Sequence, residues 1–118
     1  MIEINIKQYS KLNEMLEFAK LFKELYPKMK MADLKERLDE MIEKYEYKLV
    51  VAFTCDKKPK AVGLAGYHIG SMLYCGRFVQ LGNLIVTDKR RNFGIAVKIM
   101  DYIKKKFLPT RINQVIIT

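Results

Sequence analysis

The chain has 118 residues, half of them hydrophobic, which is enough for one core and too apolar for a disordered polyelectrolyte. No stretch approaches the roughly 18 consecutive apolar residues of a membrane span, and Met1-Ile2-Glu3-Ile4-Asn5-Ile6 alternates like a strand instead of reading as a signal peptide, so a cytoplasmic protein is expected. Twenty-two Lys and Arg against 13 Asp and Glu leave +9, which suits a polyanionic or phosphate-rich partner, while Cys55, Cys75 and the single His68 have no metal-ligand spacing.

Residues 2–7 set Ile2, Ile4 and Ile6 on one side and predict a first strand. From about Lys11 to Tyr26, Leu12, Met15, Leu16, Ala19, Phe22 and Leu25 recur at three- and four-residue steps until Pro27 ends the run, which predicts one amphipathic helix. A second helix is expected from Met31 to Tyr45, with Leu34, Leu38, Met41 and Ile42 on its stripe. Tyr47 to Cys55 is rich in β-branched and aromatic residues, Asp56-Lys57-Lys58-Pro59 is turn chemistry, and Ala61 to Ile69 is again apolar, so two strands joined as a hairpin follow.

Gly70-Ser71 reads as the next break and Met72 to Thr87 as a long strand, in which Gly82 marks a bulge or a close backbone approach. Helical spacing returns from Asn92 to Phe107, with Lys104, Lys105 and Lys106 where positive charge suits a helix C-terminus. The segment Ile112 to Ile117 is expected as a last strand, parallel to the long one after a right-handed crossover. The order is β-α-α-β-β-β-α-β, an α/β (α+β) chain, and with no repeat or linker-like tract residues 1–118 form a single domain in this reading.

The most informative stretch is Leu84-Ile85-Val86-Thr87-Asp88-Lys89-Arg90-Arg91-Asn92-Phe93-Gly94-Ile95-Ala96, where an apolar strand runs through a basic turn into a glycine-bearing helix start. The first turn of a helix leaves backbone N–H groups unpaired and carries partial positive charge, and Gly94 and Ala96 lack bulk that would keep a phosphate away. The stretch is neither a Walker A loop nor a dinucleotide-binding fingerprint.

Arg91-Asn92-Phe93-Gly94-Ile95-Ala96, placed after a strand, resembles the Arg/Gln-x-x-Gly-x-Gly/Ala signature of the GNAT superfamily of N-acetyltransferases, and the two helices, hairpin and Gly76-to-Val86 segment before it resemble that family as well. The resemblance implies a mixed, mostly antiparallel, twisted sheet and acetyl-CoA as co-substrate. It implies that the backbone of Leu84, Ile85 and Val86 pairs with the pantetheine arm as a strand would, and that the amides of Arg91, Asn92, Phe93, Gly94, Ile95 and Ala96 hold the pyrophosphate. The implied reaction is acetyl transfer to a primary amine, on a small molecule or a protein, by direct attack on the thioester.

Two departures from the family pattern set the expectations for chemistry. A lysine-like ammonium with pKa about 10.4 costs roughly 4 to 5 kcal/mol to deprotonate at pH 7, and many relatives carry a carboxylate on the long strand to assist. Here that strand offers Gln80, Gly82 and Asn83, none of which accepts a proton near neutral pH, so the catalytic residues are unassigned. His68, or water held by Gln80 or Asn83, is the substitute base to weigh, and Tyr67, Tyr74 and Tyr102 are the candidate acids. The family's last helix and strands have no counterpart before Thr118, which leaves Ile112 to Ile117 as an apolar edge suited to a homodimer.

A catalytically degenerate relative that binds acyl-CoA or a protein partner is the alternative reading. The lysines are dispersed instead of clustered with exposed aromatics, which argues against a dedicated nucleic-acid face.

Overall fold

The computed structural model describes residues 3–74, 76–87, 94–107, 112 and 115–117. Five strands form one sheet in the order β1-β2-β3-β4-β5: β1 (Ile4–Tyr9), β2 (Lys48–Thr54), β3 (Ala61–Met72), β4 (Gly76–Val86) and β5 (Val115–Ile117). The first four pair antiparallel with their chain neighbours, and β5 lies parallel to β4. Between β1 and β2 run α1 (Leu12–Met15), a 3-10 turn (Leu16–Phe18), α2 (Ala19–Leu25) and α3 (Met31–Tyr45), and α4 (Ile95–Phe107) bridges β4 and β5.

The sheet has a helical layer on each face, because its strands are apolar on both. One core joins Met15, Phe18, Leu21 and Phe22 to Leu34 and Leu38 over Leu49, Val51, Leu64 and Ile85. The other sets Ile95, Ile99 and Ile103 of α4 on Val50, Ala52, Ala65, Val79 and Leu81. The three isoleucines recur every fourth residue and are essentially inaccessible, a burial of about 1.5 to 3 kcal/mol each that fixes which stripe of α4 faces the sheet.

Most predicted elements are present, with three corrections. The helix expected over Lys11 to Tyr26 is interrupted: Phe18 leaves helical geometry (φ −103°, ψ 20°) and starts α2 afresh, its ring packing at 5.2 Å from Tyr9 and 5.8 Å from Phe53. Gly70-Ser71 does not break the chain, since β3 continues through both to Met72 and the turn falls at Leu73-Tyr74. The helix expected from Asn92 begins at Ile95 among the described residues, with Gly94 in the turn before it.

Two local departures from regular geometry position the site. At the end of α3, Glu46 takes a left-handed conformation (φ 54°), its N–H donating to Ile42 O at 3.0 Å while Tyr47 N–H reaches Met41 O at 3.4 Å. This closing pattern satisfies the last carbonyls and turns the chain directly into β2, with Tyr47 buried under the helices. In β4 a bulge falls where Gly82 led one to expect it: Gly66 pairs with Gly82, Leu64 pairs with Ile85, and Asn83 between them is left-handed (φ 55°). The extra residue reverses the alternation, so that Val79 and Leu81 face α4 before the bulge, Leu84 and Val86 face it afterwards, and Ile85 turns to the α1–α3 side.

Candidate functional site

The bulge brings together three side chains from distant parts of the chain. Asn83 Oδ1 accepts a hydrogen bond from the Tyr26 hydroxyl at 2.7 Å, and Asn83 Nδ2 donates to the Tyr47 hydroxyl at 3.1 Å. Tyr26 is exposed and ends α2, whereas Tyr47 is buried, and burial pushes its hydroxyl up to about 12. An amide can satisfy both hydroxyls because it offers an acceptor and a donor at once. Asparagine also tolerates the left-handed backbone the bulge requires.

Beside this trio lies a cavity of about 230 Å³ lined by Phe22, Tyr26, Arg37, Leu38, Met41 and Asn83. A shallower depression of about 430 Å³ shares Tyr26, Met29 and Arg37 with it and adds Asp33. An apolar recess with an amide, a phenol and a guanidinium at its mouth is thus open on the α2–α3 face next to the bulge.

Of the strand positions weighed as proton acceptors, Asn83 sits at this recess, Gly82 lies opposite Gly66, and Gln80 pairs with His68 farther toward the β3–β4 turn. The His68 ring stacks on Tyr45 with centroids 5.0 Å apart, and partial burial holds its pKa below the ordinary histidine value, which keeps it neutral at pH 7. None of the three tyrosines considered as acids lines the recess. Tyr67 is buried on the α4 side with its hydroxyl donating to Gln8 at 2.7 Å, Tyr74 is exposed in the β3–β4 turn, and Tyr102 packs in the α4 core. Sequence patterning missed Tyr26 and Tyr47, whose relevance depends on the bulge that brings Asn83 to them.

The expected cofactor segment falls partly within the described residues. Among the described residues the pairing of β5 with β4 covers Val79, Gln80 and Leu81, and Leu84 and Ile85 lie farther along β4. At the head of α4, Gly94 is left-handed (φ 69°) and exposed, and its carbonyl accepts from Lys98 N–H at 3.1 Å. The N–H groups of Ile95, Ala96 and Val97 therefore occupy the first turn, where none has an acceptor within the helix. A Cβ placed on Gly94 would meet nothing within 4 Å among the described residues, so the space beside its Cα is open. Ile95 itself is buried and anchors the turn to the core. Arg91, Asn92 and Phe93, with Lys89 and Arg90, lie outside the described residues.

Cys55 is exposed in the β2–β3 turn, Cys75 lies outside the described residues, and among those residues no three His, Cys, Asp or Glu side chains converge as metal ligands. No helix among them is long and apolar enough to cross a membrane.

The sequence matches no protein-family model and no curated relative. Its structure is similar to solved acetyltransferases. An aminoglycoside acetyltransferase from an uncultured soil metagenomic sample, in complex with sisomicin, superposes with a TM-score of 0.77 at 16% identity, over 98% of this chain and 76% of that one. The ribosomal-protein-alanine N-acetyltransferase of Brucella melitensis biovar Abortus 2308 gives 0.77 at 17% identity, over 98% and 80%. An aminoglycoside N-acetyltransferase in complex with CoA gives 0.76 at 17% identity, over 100% and 78%. The fold is that of the GNAT N-acetyltransferases.

Proposed function

We propose that this chain binds acetyl-CoA and transfers the acetyl group to a primary amine, on a small molecule or a protein. The observation that carries the reading is the course of β4: a bulge at Asn83, then Leu84 to Val86, then a helix whose glycine start is left-handed and exposed, all within a fold shared with a CoA-bound acetyltransferase. In this reading the backbone of Leu84, Ile85 and Val86 pairs with the pantetheine arm, and the turn from Arg91 to Ala96 holds the pyrophosphate.

The amine nitrogen attacks the thioester carbonyl, the C–S bond breaks as the C–N bond forms, and the thiolate leaves while the nitrogen sheds a proton. The recess by Tyr26, Arg37 and Asn83 is where the acceptor would approach the bulge. Asn83 and Tyr26 can hold a water or an amine there by hydrogen bonds, but an amide is no base, so in this reading proton loss runs to solvent or begins from an amine already neutral. A cytoplasmic setting is part of the same proposal.

A second reading is favoured by the residues at the bulge. With Gln80, Gly82 and Asn83 where a carboxylate would serve, a binding protein for acyl-CoA or for another protein needs no further change to the site. Thermal unfolding with and without acetyl-CoA tests the cofactor site, since a ligand at about 100 times its Kd adds roughly 2.7 kcal/mol. No shift at millimolar acetyl-CoA would sink both acyl-CoA readings; a shift without thiol release across an amine panel would favour the non-catalytic one. A dimer through the β5 edge belongs to the proposal too, and a monomer in light scattering at micromolar concentration would remove it.

A further inference from the structure

At the end of the sheet away from the bulge, β3 outruns its neighbour. β2 starts at Lys48, opposite Tyr67, whereas β3 continues through His68 to Met72 with only β4 beside it among the described residues. A cavity of about 540 Å³ follows this overhang and is lined from both faces of the sheet. On the α4 face stand Lys48, Arg77 and Lys106, and on the other the stacked rings of Tyr45 and His68.

The charges there are unbalanced. Of the residues lining the cavity, Lys44, Lys48, Arg77 and Lys106 are basic and Glu46 alone is acidic. Among the described residues the one ion pair is that of Lys44 with Glu40, at 2.8 Å, so the other three cations have no carboxylate of their own there. Lys106 Nζ instead donates to the neutral Gln8 Oε1 at 2.6 Å. Its pKa is held below the usual lysine value by burial and then by the charge of Lys48, so a carboxylate between the two lysines would relieve a repulsion already present.

We propose that this overhang is a docking groove for an extended acidic peptide segment, which adds as a strand to the His68–Met72 edge and sets carboxylates against Lys48, Arg77 and Lys106. An exposed strand edge offers backbone donors and acceptors in a row, and an added strand presents its side chains alternately to the two faces, which matches a cavity open on both. A free small anion would use the lysines and ignore the edge, and a nucleic acid would call for a longer basic track with stacking rings along it. The groove lies at the β3–β4 turn end of β4, opposite the end that carries the bulge and leads to α4, so the inference stands independently of acetyl transfer.

The probe is a fluorescein-labelled, capped peptide alternating glutamate with threonine, titrated with the full chain at low salt by fluorescence anisotropy. Binding is expected to persist in saturating CoA and to weaken about tenfold or more, 1.4 kcal/mol per decade, when alternate amides of the peptide are N-methylated without changing its charge. Arg77 is exposed, so Arg77→Glu should keep the fold, checked by its thermal midpoint, and lose binding to a similar extent. Amide chemical-shift changes centred on His68 to Met72 are expected in the unsubstituted protein. Absence of binding, equal affinity for the N-methylated peptide, or tighter binding of a single-stranded oligonucleotide that Arg77→Glu abolishes would each overturn the proposal.

Discussion

The hydroxyl of Tyr47 occupies the space that a side chain on Gly66 would need: a Cβ there would overlap the phenol far inside van der Waals contact. The glycine on β3 thus makes room for the group that receives the Asn83 amide. Gly66→Ala should force the ring aside and break that hydrogen bond, lowering stability by about 1 to 3 kcal/mol or more, as overpacking does. Urea unfolding measures the loss, and Tyr47→Phe in the alanine background should recover part of it.

Asn83→Asp places a carboxylate where the recess meets the bulge and keeps a residue that accepts the left-handed backbone. If proton removal limits acetyl transfer, thiol release with an amine acceptor should rise by about 10² or more, the usual range for a positioned base. Unchanged turnover with intact acetyl-CoA binding would mean that the missing strand carboxylate is not what limits this protein.

Replacing Gly94 separates backbone strain from the cofactor contact proposed for it. The space is open but φ is 69°, so Gly94→Val should lose about 1 to 2 kcal/mol of stability from the left-handed conformation, together with affinity for CoA. Gly94→Asn, which tolerates that conformation, should restore most of the stability while leaving affinity reduced. Calorimetric titration with CoA reads affinity, and the thermal midpoint reads stability.

High pH should probe the buried phenol directly. A tyrosine in the unfolded chain ionises near 10, whereas Tyr47 and Tyr67 are both pushed up to about 12 by burial. With the folded pKa above the unfolded one, their stabilising contribution is complete below about pH 10 and is lost as pH rises from there through about 12. Tyr47→Phe should flatten that fall, and denaturant unfolding at stepped alkaline pH gives the slopes to compare.

Glu46 is left-handed without being glycine, so Glu46→Gly should relieve strain at the α3 exit and raise stability by about 1 kcal/mol. A higher denaturant midpoint at unchanged slope is the expected result.

Periodicity located the elements that bury a face and failed where tertiary packing sets the ending. The helix from Met31 to Tyr45 was legible to the residue because its stripe and its polar face are both continuous. The break at Phe18 was not, because nothing in the local sequence interrupts the helix; the ring swings onto Tyr9 and Phe53, which lie on other elements. Gly70-Ser71 misled for the opposite reason, being small residues inside a strand, where an added Cβ at Gly70 would run into the Phe78 ring across the pair. For the site, Gly82 signalled the bulge, but the residue that adopts the unusual conformation is its neighbour Asn83, and its partners Tyr26 and Tyr47 are 57 and 36 positions away in the chain.

The order of strands across the sheet is their order along the chain. Each of β2, β3 and β4 therefore docks onto the strand made just before it, and the antiparallel part of the sheet can be extended from the N-terminal side as the polypeptide emerges, without waiting for distant segments. Among the described strands β5 alone is parallel to its neighbour and needs a crossover, through α4. The recess beside Asn83 is complete once β4 is in place, whereas β5, the parallel neighbour of β4, is made last of the described strands.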